Sequence, residues 1–163
     1  MAIDMFLKIG NINGESLDAT HKSWVDVLAW SWGISNSGST HVGGGAGAGQ
    51  ANFQDLSYTS YLDASTAPLM KAVATGQHLA TAFLNVRGSA RSSSVEFLKI
   101  TLSEVLVTSL STGGSGGEDR LTQNVTLNFA KVKVEYQQVA DTGKPINDPL
   151  VFQFDIVANT VVP

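Results

Sequence analysis

The sequence has no cysteine, so neither disulfides nor thiolate-bound metals can hold the fold together. Packing and strand pairing must do that. Charge is also scarce: Asp, Glu, Lys and Arg make up 15% of the 163 residues, against about 25% in an ordinary soluble domain. The 10 basic residues are scattered and the net charge is −4, which excludes the clustered Lys and Arg that phosphate backbones require. No long apolar run occurs. The opening Met1 to Gly10 carries Asp4 and matches neither a secretory signal nor a membrane span, so the chain is expected to be made and folded in the cytoplasm.

What remains is apolar and glycine-rich. Hydrophobic residues account for 43% and glycine for 16 positions. A surface so poor in charge is either built from Ser, Thr, Asn and Gly or covered by another chain. The length suits a single domain spanning 1–163, with a real core and no room for a second.

Strand signals dominate. Met5 to Ile9 is a short β-prone run closed by Gly10, and Asn13-Gly14 marks a turn. From Trp24 to Ile34, alternation places Trp24, Asp26, Leu28, Trp30, Trp32 and Ile34 on a bulky core face, with Val25, Val27, Ala29, Ser31 and Gly33 on a small, smooth one. A low-complexity segment at 37–49 reads as a long protruding loop, because ordering so much glycine is entropically costly. A strand is expected from Ala51 to Tyr58. One helix is expected at about 65–75, with Ser65 or Thr66 as N-cap, Pro68 in the first turn and Gly76 as its stop. Its apolar stripe pairs Leu69 with Val73 and Met70 with Ala74.

Further strands are expected at Ala80 to Arg87, Val95 to Leu110, Leu121 to Tyr136 and Val151 to Val157. In the second of these, Leu98, Ile100, Leu102 and Leu106 share a face. In the third, Val125, Leu127 and Phe129 share one parity whereas Val132, Val134 and Tyr136 share the other, a phase change that predicts a bulge or a strand passing between sheets. Six or seven strands with one helix imply a mainly β fold, a barrel or sandwich.

No motif assembles an active site. Gly43-x-Gly45-x-x-Ala48 has the letters of a dinucleotide fingerprint without the βαβ setting, and neither glycine run ends as a phosphate loop does. His21, His41 and His78 lie far apart and read as surface or capping residues, not metal ligands. Ser115 stands in Gly-Gly-Ser-Gly-Gly between strands, as a hairpin loop and not a nucleophile elbow. Glu118, Asp119 and Arg120 suit a turn-fixing or intersubunit ion pair better than acid–base work. Neither cofactor nor catalysis is expected.

Several stretches together carry a family likeness. They are Ala2-Ile-Asp-Met-Phe-Leu-Lys-Ile-Gly10, Asp26-Val-Leu-Ala-Trp-Ser-Trp-Gly33, the His41 to Gly49 loop, Gln54-Asp-Leu-Ser57, Ser111-Thr-Gly-Gly-Ser-Gly-Gly-Glu-Asp-Arg-Leu-Thr122 and Asn124-Val-Thr-Leu-Asn-Phe-Ala130. The sequence resembles the haemolysin-coregulated protein (Hcp) family, the tube-forming component of bacterial type VI secretion, most clearly before Tyr136. The resemblance implies a compact β-barrel of two sheets with one flanking helix. Six copies would close into a homohexameric ring, and rings would stack into a tube inside a contractile sheath. The tube would leave the bacterial cytoplasm with a trimeric spike protein, bypassing the general secretory route, and could hold small effector proteins in its lumen. Neither nucleic acid nor membrane insertion is implied.

On that reading, His41, Val42, Gly43, Gly44, Gly45, Gly47 and Gly49 are expected to carry ring-to-ring contact, since small residues let backbones approach. Ser111, Thr112, Gly113, Gly114, Ser115, Glu118, Asp119 and Arg120 form a second contact loop, between subunits or rings. Ala29, Ser31 and Gly33 are the candidates for the lumen wall, where cargo would lie. The rival from another class is a β-sandwich binding module, for instance for carbohydrate, which would need an open aromatic face. The tube reading instead buries Trp30 and Trp32.

Overall fold

The computed structural model describes residues 3–38, 49–88 and 95–163. Strand β1 (Ile3–Ile9) is followed by β2 (Val25–Ser31), β3 (Ile34–Asn36), β4 (Ala51–Phe53) and β5 (Leu56–Tyr61). Helix α1 (Thr66–Thr75) comes next, then β6 (His78–Gly88), β7 (Glu96–Gly113), β8 (Thr122–Tyr136), β9 (Leu150–Asp155) and β10 (Thr160–Val161). The large sheet runs β10-β9-β8-β5-β2-β1-β6-β7, and β7 pairs back onto β8. That pairing closes six strands into a barrel, all antiparallel, and leaves β9 and β10 as an extension. Closure removes the open edges of the barrel strands, which would otherwise invite aggregation.

Strand β8 serves both parts. One edge lies along β7 from end to end, whereas the other pairs with β5 over residues 122–127 and with β9 over residues 131–136. Val125, Leu127 and Phe129 are buried before the handover, and Val132 after it. The phase change in the sequence is this exchange of partners.

Two expectations of alternation need correction, one at a ladder slip and one at a left-handed residue. In β2 the ladder to β5 slips between Val27 and Ala29. Val25 and Val27 therefore point into the core and Asp26 and Leu28 out, whereas after the slip Trp30 packs inward and Ala29 and Ser31 face out. Ile34 is exposed. In β7, Glu104 has a left-handed backbone (φ 55°), and parity reverses across it. Ile100 and Leu102 are buried before it, Val105 and Val107 after it, and Leu106 leaves the core face. The strand expected from Ala51 to Tyr58 is two strands, β4 and β5, in different sheets.

The helix ends where the sequence stops it: Gly76 adopts φ 64°, and the N–H of Gln77 donates to Ala72 O at 3.1 Å. Leu69 and Ala72 are its buried residues; Met70 and Ala74 face solvent. Ser65 is the N-cap without a side-chain cap bond, donating instead to Asp63 Oδ1 at 2.5 Å. Thr66 Oγ1 accepts from Asp63 N at 3.1 Å and donates to Gln123 Oε1 at 2.9 Å, and Gln123 Nε2 donates to Ser60 Oγ at 3.1 Å. Gln123, fully buried on β8, thus ties the helix entrance to the barrel. Tyr58 is also buried, and its hydroxyl has no hydrogen-bond partner among the described residues. Burial, with the nearby Asp63 charge, pushes the phenol far above its ordinary range.

Candidate functional site

On the outer face of β2, β5, β8 and the end of β7 the side chains are small, polar and uncharged. A shallow groove of about 420 Å³ lies elsewhere, among charged residues by Arg87 and Glu96, whereas this one, about 370 Å³, is lined by Ala29, Ser31, Ser57, Thr59, Asn124 and Thr126 with the nearby serines of β7. The hydroxyls bond one another across the strands. Ser31 Oγ and Ser57 Oγ stand 2.7 Å apart, Thr59 Oγ1 donates to Asn124 Oδ1 at 2.6 Å, and Ser109 Oγ meets Thr126 Oγ1 at 2.6 Å. At the margin, Asp55 accepts from Thr108 Oγ1 at 2.8 Å and Asn128 Nδ2 at 2.9 Å. With its donors and acceptors largely spent on each other, the wall presents little charge and few strong binding groups.

Ala29 and Ser31 both lie on this wall, and Ser31 bonds within it. Gly33 does not belong to it. Its carbonyl accepts from Gln54 N at 3.0 Å, and a Cβ there would stand 3.3 Å from Gln54 Oε1, so it sits at the root of the β3–β4 hairpin.

The second expected loop begins inside the β7–β8 hairpin. Ser111, Thr112 and Gly113 are ladder residues opposite Asn124, Gln123 and Thr122. Gly114 packs against Leu121, Ser115 Oγ donates to Glu118 Oε1 at 3.3 Å, and Asp119 is exposed. Arg120 lies over the Tyr61 ring, 3.8 Å from its centroid, a cation–π contact within the subunit. Of the first loop, Gly49 alone is described: its carbonyl accepts from Asn36 Nδ2 at 2.6 Å at the end of the hairpin. His41, Val42, Gly43, Gly44, Gly45 and Gly47 lie outside the described residues.

His21 is not a surface residue. It is 3% exposed, stacked on Phe6 at 4.3 Å and edge-on to Trp24 at 4.8 Å. Asp18 Oδ2 stands 3.0 Å from its Nδ1, and Glu96 Oε1 contacts its Nε2. Arg87 binds Asp18 through its guanidinium, reaches Asp4 at 3.5 Å and lies over the Phe6 ring. The Arg87 guanidinium, followed by His21, holds the Asp18 carboxyl well below the usual range. This knot pins the irregular connection between β1 and β2 onto β6 and β7. Asp18 lies only three positions from His21, but Asn85 and Glu96 are 64 and 75 positions away, so local spacing could not have revealed the whole knot.

Among the described residues no group of three or more His, Asp or Glu side chains is placed to hold a metal. Neither Trp30 nor Trp32 presents the open aromatic face of a carbohydrate platform. Both pack partly buried against the core, and Trp32 Nε1 donates to Gln54 O at 2.9 Å.

Comparison with known proteins decides the family. The profile described as "Type VI secretion system effector, Hcp" matches residues 6–136. This chain belongs to the Hcp family. Its similarity to protein hcp1 of Pseudomonas aeruginosa is 56% identity over 159 residues, covering 98% of both chains, so the likeness to that relative runs past Tyr136, where the family profile stops. Among solved structures, Hcp1 from Salmonella typhimurium superposes with a TM-score of 0.81 at 33% identity, over 99% of this chain and 100% of that one. A structure described as a type six secretion system protein superposes at 0.92, with 27% identity and coverage of 99% and 100%. The closed barrel with one helix is the Hcp fold.

Proposed function

We propose that this Hcp chain is the building block of a type VI secretion tube. Six copies close into a ring through a heterologous interface, one face of each subunit meeting a different face of the next. Rings stack inside a contractile sheath and are expelled with a trimeric spike, carrying small effectors in the lumen. The observation that carries the lumen assignment is the self-bonded, uncharged wall around Ser31 and Ser57. A wall with little field and few unspent donors holds cargo without selecting it by charge and lets it go again. The subunit contacts are drawn from elsewhere. Leu150 (70% exposed), Val151, Val157 (83% exposed) and Val161 present apolar side chains at the β9–β10 extension, more than a charge-poor monomer needs to show. The two glycine-rich loops, at 41–49 and 111–120, supply the remaining contacts, the first of them between rings.

Native mass measurement tests the assembly: a hexamer is expected in mild salt, and a clean monomer at tens of micromolar would overturn the reading. Substitution tests the lumen. Ser31→Arg places a long cation on the wall without touching the core, so the hexamer should persist while retention of a co-expressed effector falls at least tenfold. Retention equal to that of the unmodified chain would remove Ser31 from the cargo surface.

A further inference from the structure

Asn13-Gly14 is the one Asn-Gly pair in the sequence. That dipeptide carries a latent reaction, because no side chain on the glycine shields its nitrogen from the asparagine carboxamide one residue back. The fold withholds both partners. Gly14 is buried, and its N–H donates to Ser23 O at 2.7 Å. A nitrogen so placed cannot give up its proton without setting its lone pair against that carbonyl oxygen. The Asn13 carboxamide is tied to β1: its Oδ1 accepts from Lys8 Nζ at 2.7 Å, and Lys8 Nζ also donates to Ile12 O at 3.1 Å.

The same packing makes this place intolerant of added chain length. Ser16 N donates to Trp24 O and Ser23 N to Ser16 O, both at 2.9 Å, so backbone alone holds residues 14–16 against 23–24. Even a Cβ on Gly14 would stand 2.5 Å from the Trp24 carbonyl oxygen. An extra atom in the main chain ahead of Gly14 would shift this register and pull the His21 knot away from β6 and β7.

We propose that Asn13 is a spontaneous modification site, silent while the connection between β1 and β2 is folded, whose deamidation marks chains that stay open. In an open chain, hydroxide takes the Gly14 amide proton and the nitrogen attacks Asn13 Cγ. A bond forms between that nitrogen and Cγ. The bond from Cγ to the side-chain nitrogen breaks, and ammonia leaves with a proton from water. One water then opens the cyclic imide. Cleavage between the nitrogen and Cγ gives aspartate. Cleavage at the Asn13 main-chain carbonyl carbon gives isoaspartate, whose backbone runs through Cγ and is one carbon longer. Nothing is oxidised or reduced. Aspartate keeps the chain length and offers Lys8 a carboxylate, so that product folds, whereas isoaspartate does not.

The full chain is incubated at mildly alkaline pH with and without guanidinium chloride, and the peptide containing Asn13 is followed by mass, which reads the exchange of NH for O. The unfolded chain should convert at least tenfold faster. His21→Ala, which loosens the same connection, should speed conversion of the folded chain at least tenfold by easing local opening, and leave the rate in denaturant unchanged. Asp18→Asn takes its place should His21→Ala not fold. On dilution of aged chains from denaturant, aspartate should pass into the folded fraction isolated by size exclusion, with isoaspartate depleted there at least fivefold. Equal rates with and without denaturant overturn the silencing, as does a folded rate that the loosened variant leaves unchanged. Isoaspartate carried undiminished into the folded fraction overturns the marking.

Discussion

Replacing His21 with alanine should lower the folding free energy of the subunit by about 3 kcal/mol, the lower end of the range for emptying a buried aromatic site. The magnitude follows from what is left behind. Glu96 loses the ring nitrogen it contacts and retains Lys99 at 3.6 Å and Asn85 at 3.3 Å. Asp18 retains Arg87. Phe6 and Trp24 lose the ring packed against both of them, so a cavity adds to the lost polar contacts. Urea unfolding of the variant checks this, and a loss below about 1 kcal/mol would show that the knot does not hold the connection. The same knot gives the protein an acid limb. Asp18 titrates lower in the fold than in the unfolded chain, so its contribution is fully present above the ordinary carboxylate value, about 3.9. It is lost as pH falls below that value. Asp18→Asn should flatten this limb, and an unaltered acid profile would contradict the assignment.

The second large effect is expected at Gly14. A Cβ there would stand 2.5 Å from the Trp24 carbonyl oxygen and 2.8 Å from Val25 Cα, both backbone atoms that cannot swing aside. The Gly14 N–H also donates to Ser23 O at 2.7 Å, which fixes the distance between the two segments. Gly14→Ala should therefore cost about 3 kcal/mol, the upper range for overpacking. Gly116→Ala, where nothing lies within 4 Å of the added carbon, should change stability by no more than about 0.5 kcal/mol. Equal stability of the two variants would mean that the connection yields without strain.

Gly14 and His21 also mark how far the sequence can be read. Asn13-Gly14 was legible as a turn signal, but the reason for the glycine is close approach of a distant backbone, which no pattern announces. The spans of β1, β6, β7 and β8, the helix with its Gly76 stop and the closed β architecture were all legible, because alternation and punctuation are local. Facing failed where the backbone broke the alternation. Glu104 in a left-handed conformation has no sequence signature, since that conformation favours glycine or asparagine, and it reversed the parity of everything after it in β7. In β2 a ladder slip divided one reading into a wrong half, Val25 to Leu28, and a right half, Trp30 and Ser31. The phase change in β8 was the exception: Phe129 and Val132 are both large and apolar, so the break in rhythm stood out.

The wall was therefore partly visible through Ala29 and Ser31. The strands that complete it were not, because Ser57, Asn124 and Ser109 join it through pairings made 26 or more positions away from Ser31 in the chain.

The wiring of the barrel also governs how the molecule comes into being. β1 takes β6 as its neighbour along its whole length, and β6 begins at His78. A ribosome adding about 5–20 residues per second needs roughly 4–15 s to supply that partner after β1 has emerged. Throughout that interval Phe6, Leu7 and Ile9 wait without the strand that will shelter them, and closure must wait longer still, for β8. Newly made chains thus pass through a vulnerable adolescence of several seconds, so a cell producing this protein in bulk would need helpers that shield nascent strands well before any ring can form.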